Sequence, residues 1–197
     1  MENPAEYWNK RWETGQTGWD TGNVTTPLKE YISQLQDMNL RILIPGCGNA
    51  YEAGFLLERG FRNVNVLDIS SLALEKFRKR VPAFPGSNIY TGDFFSFSGV
   101  YDLILEQTFF CALDPSLRNN YVQKMQELLV PGGKVAGLLF NAVMNSDQPP
   151  YGGSEKEYRL LFQDYFDILT LETAYNSITP RAGKELFFTL RKPETGI

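Results

Sequence analysis

The stretch LRILIPGCGNAYEAG, residues 40–54, decides the fold. An apolar run, RILIP (41–45), meets a turn with glycine at 46 and 48, and a helical pattern follows to Gly60. An unbroken apolar run, rather than an alternation, belongs to a strand buried on both faces. Such a strand needs parallel neighbours and covering helices, so the strand–helix rhythm should recur downstream.

It does recur. NVNVLDI (63–69) reads as a second strand, and Ser70 caps a helix carrying Leu72, Leu74, Phe77 and Val81. SNIYTGD (87–93) holds a third strand and VYDLILEQ (100–107) a fourth. Asp114-Pro115 opens a helix with Leu117, Tyr121, Met125 and Leu128 on one stripe, which Pro131-Gly132-Gly133 is expected to stop. KVAGLLF (134–140) is the fifth strand. After a helix at about 154–164 come YFDILTLETA (165–174) and KELFFTLRK (184–192). The connection between them is too short for a crossover helix, so they should pair antiparallel. The pattern predicts an α/β, Rossmann-like fold: a seven-stranded, mostly parallel sheet with an antiparallel ending.

Upstream, Asn3-Pro4-Ala5-Glu6 combines an N-cap, an N1 proline and an N3 acid, so a short helix should begin near residue 4. It places Trp8 and Trp12 on one face and should end by Gly15 and Gly18. A second helix from residue 27 carries Leu28, Tyr31, Ile32 and Leu35. The expected organisation is one domain over 1–197, with cap helices in 1–39 and the core in 40–197.

Composition narrows the function. The 197 residues carry a formal net charge of −4, with 43% hydrophobic and 21% charged residues, and the pI is near 5.0. That balance argues against a nucleic-acid partner, which selects a basic face. No apolar stretch reaches the roughly 18 residues of a membrane span, and MENPAEYW lacks the apolar core of a signal peptide. The expected location is the cytoplasm. Cys47 and Cys111 could form one disulfide, but free thiols are the default there, and neither sits in a metal-type spacing. The chain has no histidine, which removes His-based triads, the usual zinc sites and a histidine base. No metal is expected, and the chemistry falls to carboxylates, Tyr, Arg, Lys, backbone groups or a cofactor.

The strand ends carry the candidate ligands. Gly46 and Gly48 let backbone approach a ligand, although such turns are also built for structure alone. The dinucleotide pattern GxGxxG would place glycine at 51, where Tyr51 stands, and no GK[ST] follows. Asp68 ends the second strand 20 residues after Gly48, where an acid can accept both hydroxyls of a ribose; the alternative is a helix cap shared with Ser70. Asp93 follows the third strand, suited to an adenine amino group with Phe94 beside the ring, or to a plain solvated turn. Glu106 and Gln107 end the fourth strand. All these positions fall at carboxyl ends of parallel strands, where such sheets bind ligands.

Together these features resemble the class I S-adenosylmethionine-dependent methyltransferases: GCG after strand one, an acid ending strand two, GD after strand three, PGG before strand five. The pieces YWNKRW, TGWDTG, TPL, LIPGCGNAYEA, FFCALDP, ELLVPGGK, PPYGG and TPRAGKE are similar to the thiopurine methyltransferase-like family, and most to its thiol/halide methyltransferase branch. The resemblance covers nearly the whole chain. It implies S-adenosyl-L-methionine as cofactor, with Trp8, Trp12 and Trp19 about its methionine and sulfonium portions. A cation over such rings gains roughly 0.5–2 kcal/mol; for Trp12, packing of the first helix on the sheet is an equal reading. The resemblance makes Gly46, Gly48, Asp68, Asp93, Phe94 and Gln107 the remaining cofactor residues. Segment 141–153 has the composition of an active-site lid, or of an ordinary mobile loop; the resemblance places Tyr151 in the acceptor pocket and Arg181 near it. An arginine there can attract an anion, or cap the terminal hairpin. One departure stands out: Glu106-Gln107 replaces the Asp-Tyr of plant members.

The implied reaction is in-line methyl transfer to a small soft nucleophile such as a thiol, bisulfide, thiocyanate or halide. It would be driven by positioning and desolvation. The expected partner is a small-molecule acceptor, with no nucleic acid and no membrane; the oligomeric state stays open, a monomer included. Competing readings are a larger acceptor such as a heteroaromatic thiol, a nicotinamide-dependent oxidoreductase, and a non-catalytic nucleotide-binding module.

Overall fold

The computed structural model describes residues 3–194; residues 1, 2 and 195–197, the ends of the expected domain range, lie outside the described residues. Asn3 caps the first helix, α1 (Pro4–Glu13), by accepting a hydrogen bond from the Ala5 N–H, with proline at the first helical position. Helix α2 (Thr26–Ser33) follows. The core then runs β1 (Ile42–Pro45), α3 (Tyr51–Glu58), β2 (Val64–Asp68), α4 (Ser71–Arg80), β3 (Ile89–Thr91) and β4 (Tyr101–Gln107). It continues through α5 (Arg118–Leu128), β5 (Leu129–Phe140), α6 (Glu155–Phe162), β6 (Asp167–Thr173) and β7 (Glu185–Arg191).

The seven strands form one sheet in the order β3-β2-β1-β4-β5-β7-β6. β1 pairs in parallel with both β2 and β4, so the chain reverses its direction of travel across the sheet between those two. A crevice opens at the carboxyl ends at such a switch point. β7 inserts antiparallel between β5 and β6. The unbroken apolar run of β1 serves both faces. Ile42 and Ile44 join Leu28, Ile32, Leu56, Leu74 and Phe77 of α2–α4 on one side. Leu43 joins Tyr121, Met125, Tyr158 and Phe162 of α5 and α6 on the other. Each fully buried side chain of this size contributes about 1.5–3 kcal/mol of transfer free energy.

Two local expectations need correcting. Pro131-Gly132-Gly133 does not stop α5; Leu129 already turns extended, with φ −93° and ψ 143°. The PGG stretch lies inside β5, which loops out between the pairs Tyr101–Leu129 and Leu103–Lys134. Gly132 sits at φ +76° there, and its N–H donates to the Lys192 carbonyl. Second, Asp114-Pro115 opens a short 3₁₀ turn, Pro115–Leu117, before α5 begins. α1 ends as expected: Glu13 is its last residue, Gly15 follows the C-cap Thr14 at φ +71°, and the Gln16 N–H donates to the Arg11 carbonyl.

No described helix is long and apolar enough to cross a membrane.

Candidate active site

The turn after β1 takes three left-handed residues, Gly46 (φ +56°), Gly48 (φ +52°) and Ala50 (φ 48°). A Cβ on Gly46 would stand 2.2 Å from the Phe109 ring, and one on Gly48 would stand 3.4 Å from Trp12. Glycine is therefore required at 46 both by conformation and by the close approach of the loop after β4. Asp68, at the end of β2, is buried and ties this turn down: Oδ2 accepts from the Gly48 N–H at 2.8 Å and Oδ1 from the Ser70 N–H at 2.8 Å. Burial pushes its pKa up, and these N–H bonds oppose the shift. Ser70 caps α4 by accepting from the Ala73 N–H. Its hydroxyl donates to Asn9 Oδ1 at 2.7 Å, which fastens α1 to the core.

Past β3, Asp93 is exposed, and its Oδ2 accepts from the Ser96 N–H and Oγ at 3.0 and 2.9 Å. Phe94 is buried and meets Phe109 edge-on at 5.0 Å. Gln107 ends β4 with its Oε1 accepting from the Thr25 hydroxyl at 2.6 Å. That bond explains why Thr25, at the N-cap of α2, does not cap its own helix.

Above the strand ends lies a cleft of about 800 Å³ lined by the three tryptophans, Gly46, Gly48, Asp68, Asp93, Phe94, Gln107 and Arg181. Cofactor sites run from about 300 to 1,000 Å³. Trp19 stands between the other two rings, edge-on to Trp8 at 5.4 Å and to Trp12 at 5.8 Å. Trp12 is 5% exposed and also carries the Lys76 ammonium 5.1 Å from its ring. Packing thus explains Trp12, whereas Trp8 and Trp19 are half-buried at the cleft wall.

Two long-range bonds hold the Trp19 loop. The Asn49 amide donates to Asp20 Oδ2 at 2.6 Å, and the Arg181 guanidinium donates to the Trp19 carbonyl at 2.8 Å. Arg181 is itself buried and paired with buried Glu185 at 3.4 Å. It lines the cleft and braces the connection between β6 and β7.

Segment 141–153 curls over the rim, held by isolated bridges Ala142–Gly153 and Asn145–Tyr151. Val143, fully exposed, lines the cleft with Met144, Pro149 and Pro150. Tyr151 does not; it is 9% exposed, and its N–H donates to the Cys111 carbonyl at 2.7 Å. Cys47 and Cys111 are free thiols whose pKa burial pushes up.

One strand-end acid was visible in the sequence without an assigned role. Glu106 lines the cleft yet is 1% exposed. Its Oε2 accepts from the Phe109 and Phe110 N–H groups at 3.1 and 3.0 Å, while Oε1 has no partner. Burial lifts its pKa to about 8 against those two donors. Asp20, Thr25 and Asn49 were also missed, because each works through a partner remote in sequence. Among the described residues no cluster could hold a metal ion.

The architecture is shared with solved methyltransferases. The 1,6-didemethyltoxoflavin-N1-methyltransferase of Burkholderia thailandensis, with bound 1,6-didemethyltoxoflavin and S-adenosylhomocysteine, gives a TM-score of 0.76 at 17% identity, covering 98% of this chain and 92% of that one. The magnesium protoporphyrin IX methyltransferase of Synechocystis, with bound S-adenosylhomocysteine, gives 0.74 at 14% identity, covering 95% and 97%. The sheet order, the antiparallel ending and the switch-point cleft are those of the class I methyltransferase fold.

Sequence comparison narrows the class. The family model for thiopurine S-methyltransferase matches residues 3–191. A probable thiol methyltransferase 2 of Arabidopsis thaliana is 34% identical over 200 residues, covering 98% of this chain and 88% of its own. Thiocyanate methyltransferase 1 of Brassica oleracea is 34% identical over 185 residues, covering 90% and 81%. This chain belongs to the thiopurine S-methyltransferase family.

Proposed function

We propose that this enzyme methylates a small soft nucleophile, with thiols, bisulfide, thiocyanate and halides as the acceptor class. The observation that carries the reading is the wall beyond the strand ends. It is made of Trp8, Trp19, Phe109, Cys111, Leu113, Leu117 and Phe140, and its guanidinium, Arg181, is already paired with Glu185. Such a surface strips water from a polarisable anion and aligns it without binding it tightly, which is how a displacement reaction is accelerated. The names of the two plant relatives, thiol and thiocyanate methyltransferase, support the same class.

In this reading S-adenosylmethionine supplies an electrophilic methyl group, and the chain supplies its seat. Asp68 has one lone pair on each oxygen beyond its two backbone donors, enough for the ribose hydroxyls. Asp93 keeps Oδ1 for the adenine amino group, with Phe94 against the ring. Backbone at Gly46, Gly48 and Gln107 completes the nucleoside end. Trp8 and Trp19 face the sulfonium, worth about 0.5–2 kcal/mol, and Trp12 supports them. Arg181 orients the acceptor wall through Trp19, and Tyr151 shapes the lid. Residues 1–39 form the cap and 40–197 the core of one domain. We further place the enzyme in the cytoplasm, where its two free thiols are at home, and read it as working without nucleic acid or membrane.

The test is headspace mass spectrometry with S-adenosylmethionine and, in turn, bisulfide, thiocyanate and iodide. Methanethiol, methyl thiocyanate or methyl iodide, formed in step with S-adenosylhomocysteine, is expected. Turnover of a heteroaromatic thiol with no volatile product from any small acceptor would contradict it.

A further inference from the structure

Among the described residues, Glu106 is the acid of the cleft wall that has a fully buried oxygen without a partner. Oε2 is occupied by the Phe109 and Phe110 N–H groups, which it clamps into the turn at Phe110–Ala112. A purely structural role is complete with that oxygen alone. Oε1 is buried with no partner, a costly arrangement, of order 1–3 kcal/mol, unless a proton or a ligand group meets it.

The surroundings leave that oxygen uncompensated. Cys111 lies on the same turn, Tyr121 reaches over from α5 and Tyr158 from α6; all three sense Glu106, and burial raises the pKa of each. The Tyr121 hydroxyl is likewise without a partner. Arg181 influences Cys111 but spends its bonds on Glu185 and the Trp19 carbonyl, and Arg118 lies over the Phe110 ring at 4.9 Å and donates to the Gly152 carbonyl. No described lysine or arginine bonds to Glu106. Burial without a counter-charge sets its pKa at about 8, near the ordinary thiol range of about 8.5. A base is most effective when matched to its proton and to working pH.

Resting on the acceptor class given above, we propose that Glu106 is the proton acceptor for neutral acceptors, thiols and hydrogen sulfide, and is idle toward thiocyanate and halides. The S–H bond breaks, the proton moves to Oε1, and the electron pair stays on sulfur, which then takes the methyl group that the enzyme's activity transfers. The proton leaves to solvent after turnover. Thiocyanate and halides carry no proton, so for them the carboxyl supplies only its clamp on the turn.

Glu106→Gln separates the two oxygens' roles, because the amide oxygen can still accept from Phe109 and Phe110 while the amide nitrogen takes no proton. Turnover is measured at saturating S-adenosylmethionine with 2-mercaptoethanol, with a more acidic alkanethiol, and with thiocyanate, across pH. For the unsubstituted enzyme, kcat on both thiols should rise along a limb near pH 8 that does not track the thiol's own ionisation, while thiocyanate turnover lacks the limb. In Glu106→Gln the limb disappears, and the thiol-to-thiocyanate rate ratio falls by about 10- to 100-fold. An infrared band from a protonated carboxyl near pH 6, lost on Glu106→Gln, is expected without any turnover. An unchanged ratio, or no such band, overturns the proposal alone. No product from any of the acceptors overturns the acceptor reading, and the proposal with it.

Discussion

The cleft has two ends built in different ways. The nucleoside end consists of strand termini and one glycine turn, held by hydrogen bonds a few to 20 residues apart in sequence, such as Gly48 to Asp68. The acceptor end is assembled from the cap, the loop at Trp19, the 141–153 segment and the terminal hairpin. Its longest tie spans most of the chain: Arg181 to the Trp19 carbonyl joins positions 162 residues apart. One end is a property of the sheet, whereas the other is a property of how separate segments meet.

That contrast can be broken most forcibly at Gly46. Its φ of +56° and the 2.2 Å approach of the Phe109 ring leave no room for a side chain. Gly46→Val should cost about 3 kcal/mol or more and abolish binding of S-adenosylhomocysteine. Chemical denaturation and calorimetry measure the two effects; native-like binding would show that the turn does not carry the site. Next in size, Asp68→Ala should weaken S-adenosylhomocysteine about 100-fold, since it removes the ribose acceptor and strands two backbone donors. Asp68→Asn, which keeps an acceptor, should lose about tenfold.

A smaller effect is expected at the other end. Arg181→Lys removes the fork that joins Trp19 to Glu185. We expect acceptor KM to rise about 3- to 10-fold while S-adenosylhomocysteine affinity changes by less than about twofold. A loss confined to the nucleoside product would erase the distinction between the ends. The smallest effect concerns stability and pH. Glu106 titrates near 8 in the fold and near 4.3 unfolded. The folded state therefore binds its proton more tightly, and this contribution to stability is complete below about pH 4.3 and is lost as pH rises through about 8. Thermal melts should show Glu106→Gln gaining on the unsubstituted enzyme across that window; parallel curves would contradict the burial of an uncompensated carboxyl.

The same contrast explains what could be read in the sequence. The parallel strands, the turn at Gly46–Gly48, Asp68, and the antiparallel ending follow from periodicity and local turn chemistry, so their positions were evident. The looped-out PGG in β5 was not, because the signal that ends a helix also permits a strand to bulge, and only pairing with Lys192 decides. Tyr151 illustrates the limit at the acceptor end. Resemblance put it in the pocket, yet the residues that line the cleft do not include it, and its main chain is tied to Cys111. Glu106 was visible as a residue but not as chemistry, since burial and the lack of a counter-charge belong to the packed state.

The division of labour in the cleft is tested most directly by comparing ligands that differ by one charge. Calorimetry of S-adenosylmethionine and S-adenosylhomocysteine is run on the unsubstituted enzyme, on Asp68→Ala and on Trp19→Ala. If the strand ends hold the nucleoside and the aromatic cap holds the sulfonium, Asp68→Ala weakens both ligands alike. Trp19→Ala then weakens the charged ligand more than the neutral one, by up to about 30-fold. Equal losses for both ligands on Trp19→Ala, or a loss of fold stability with affinities unchanged, would return that ring to plain packing.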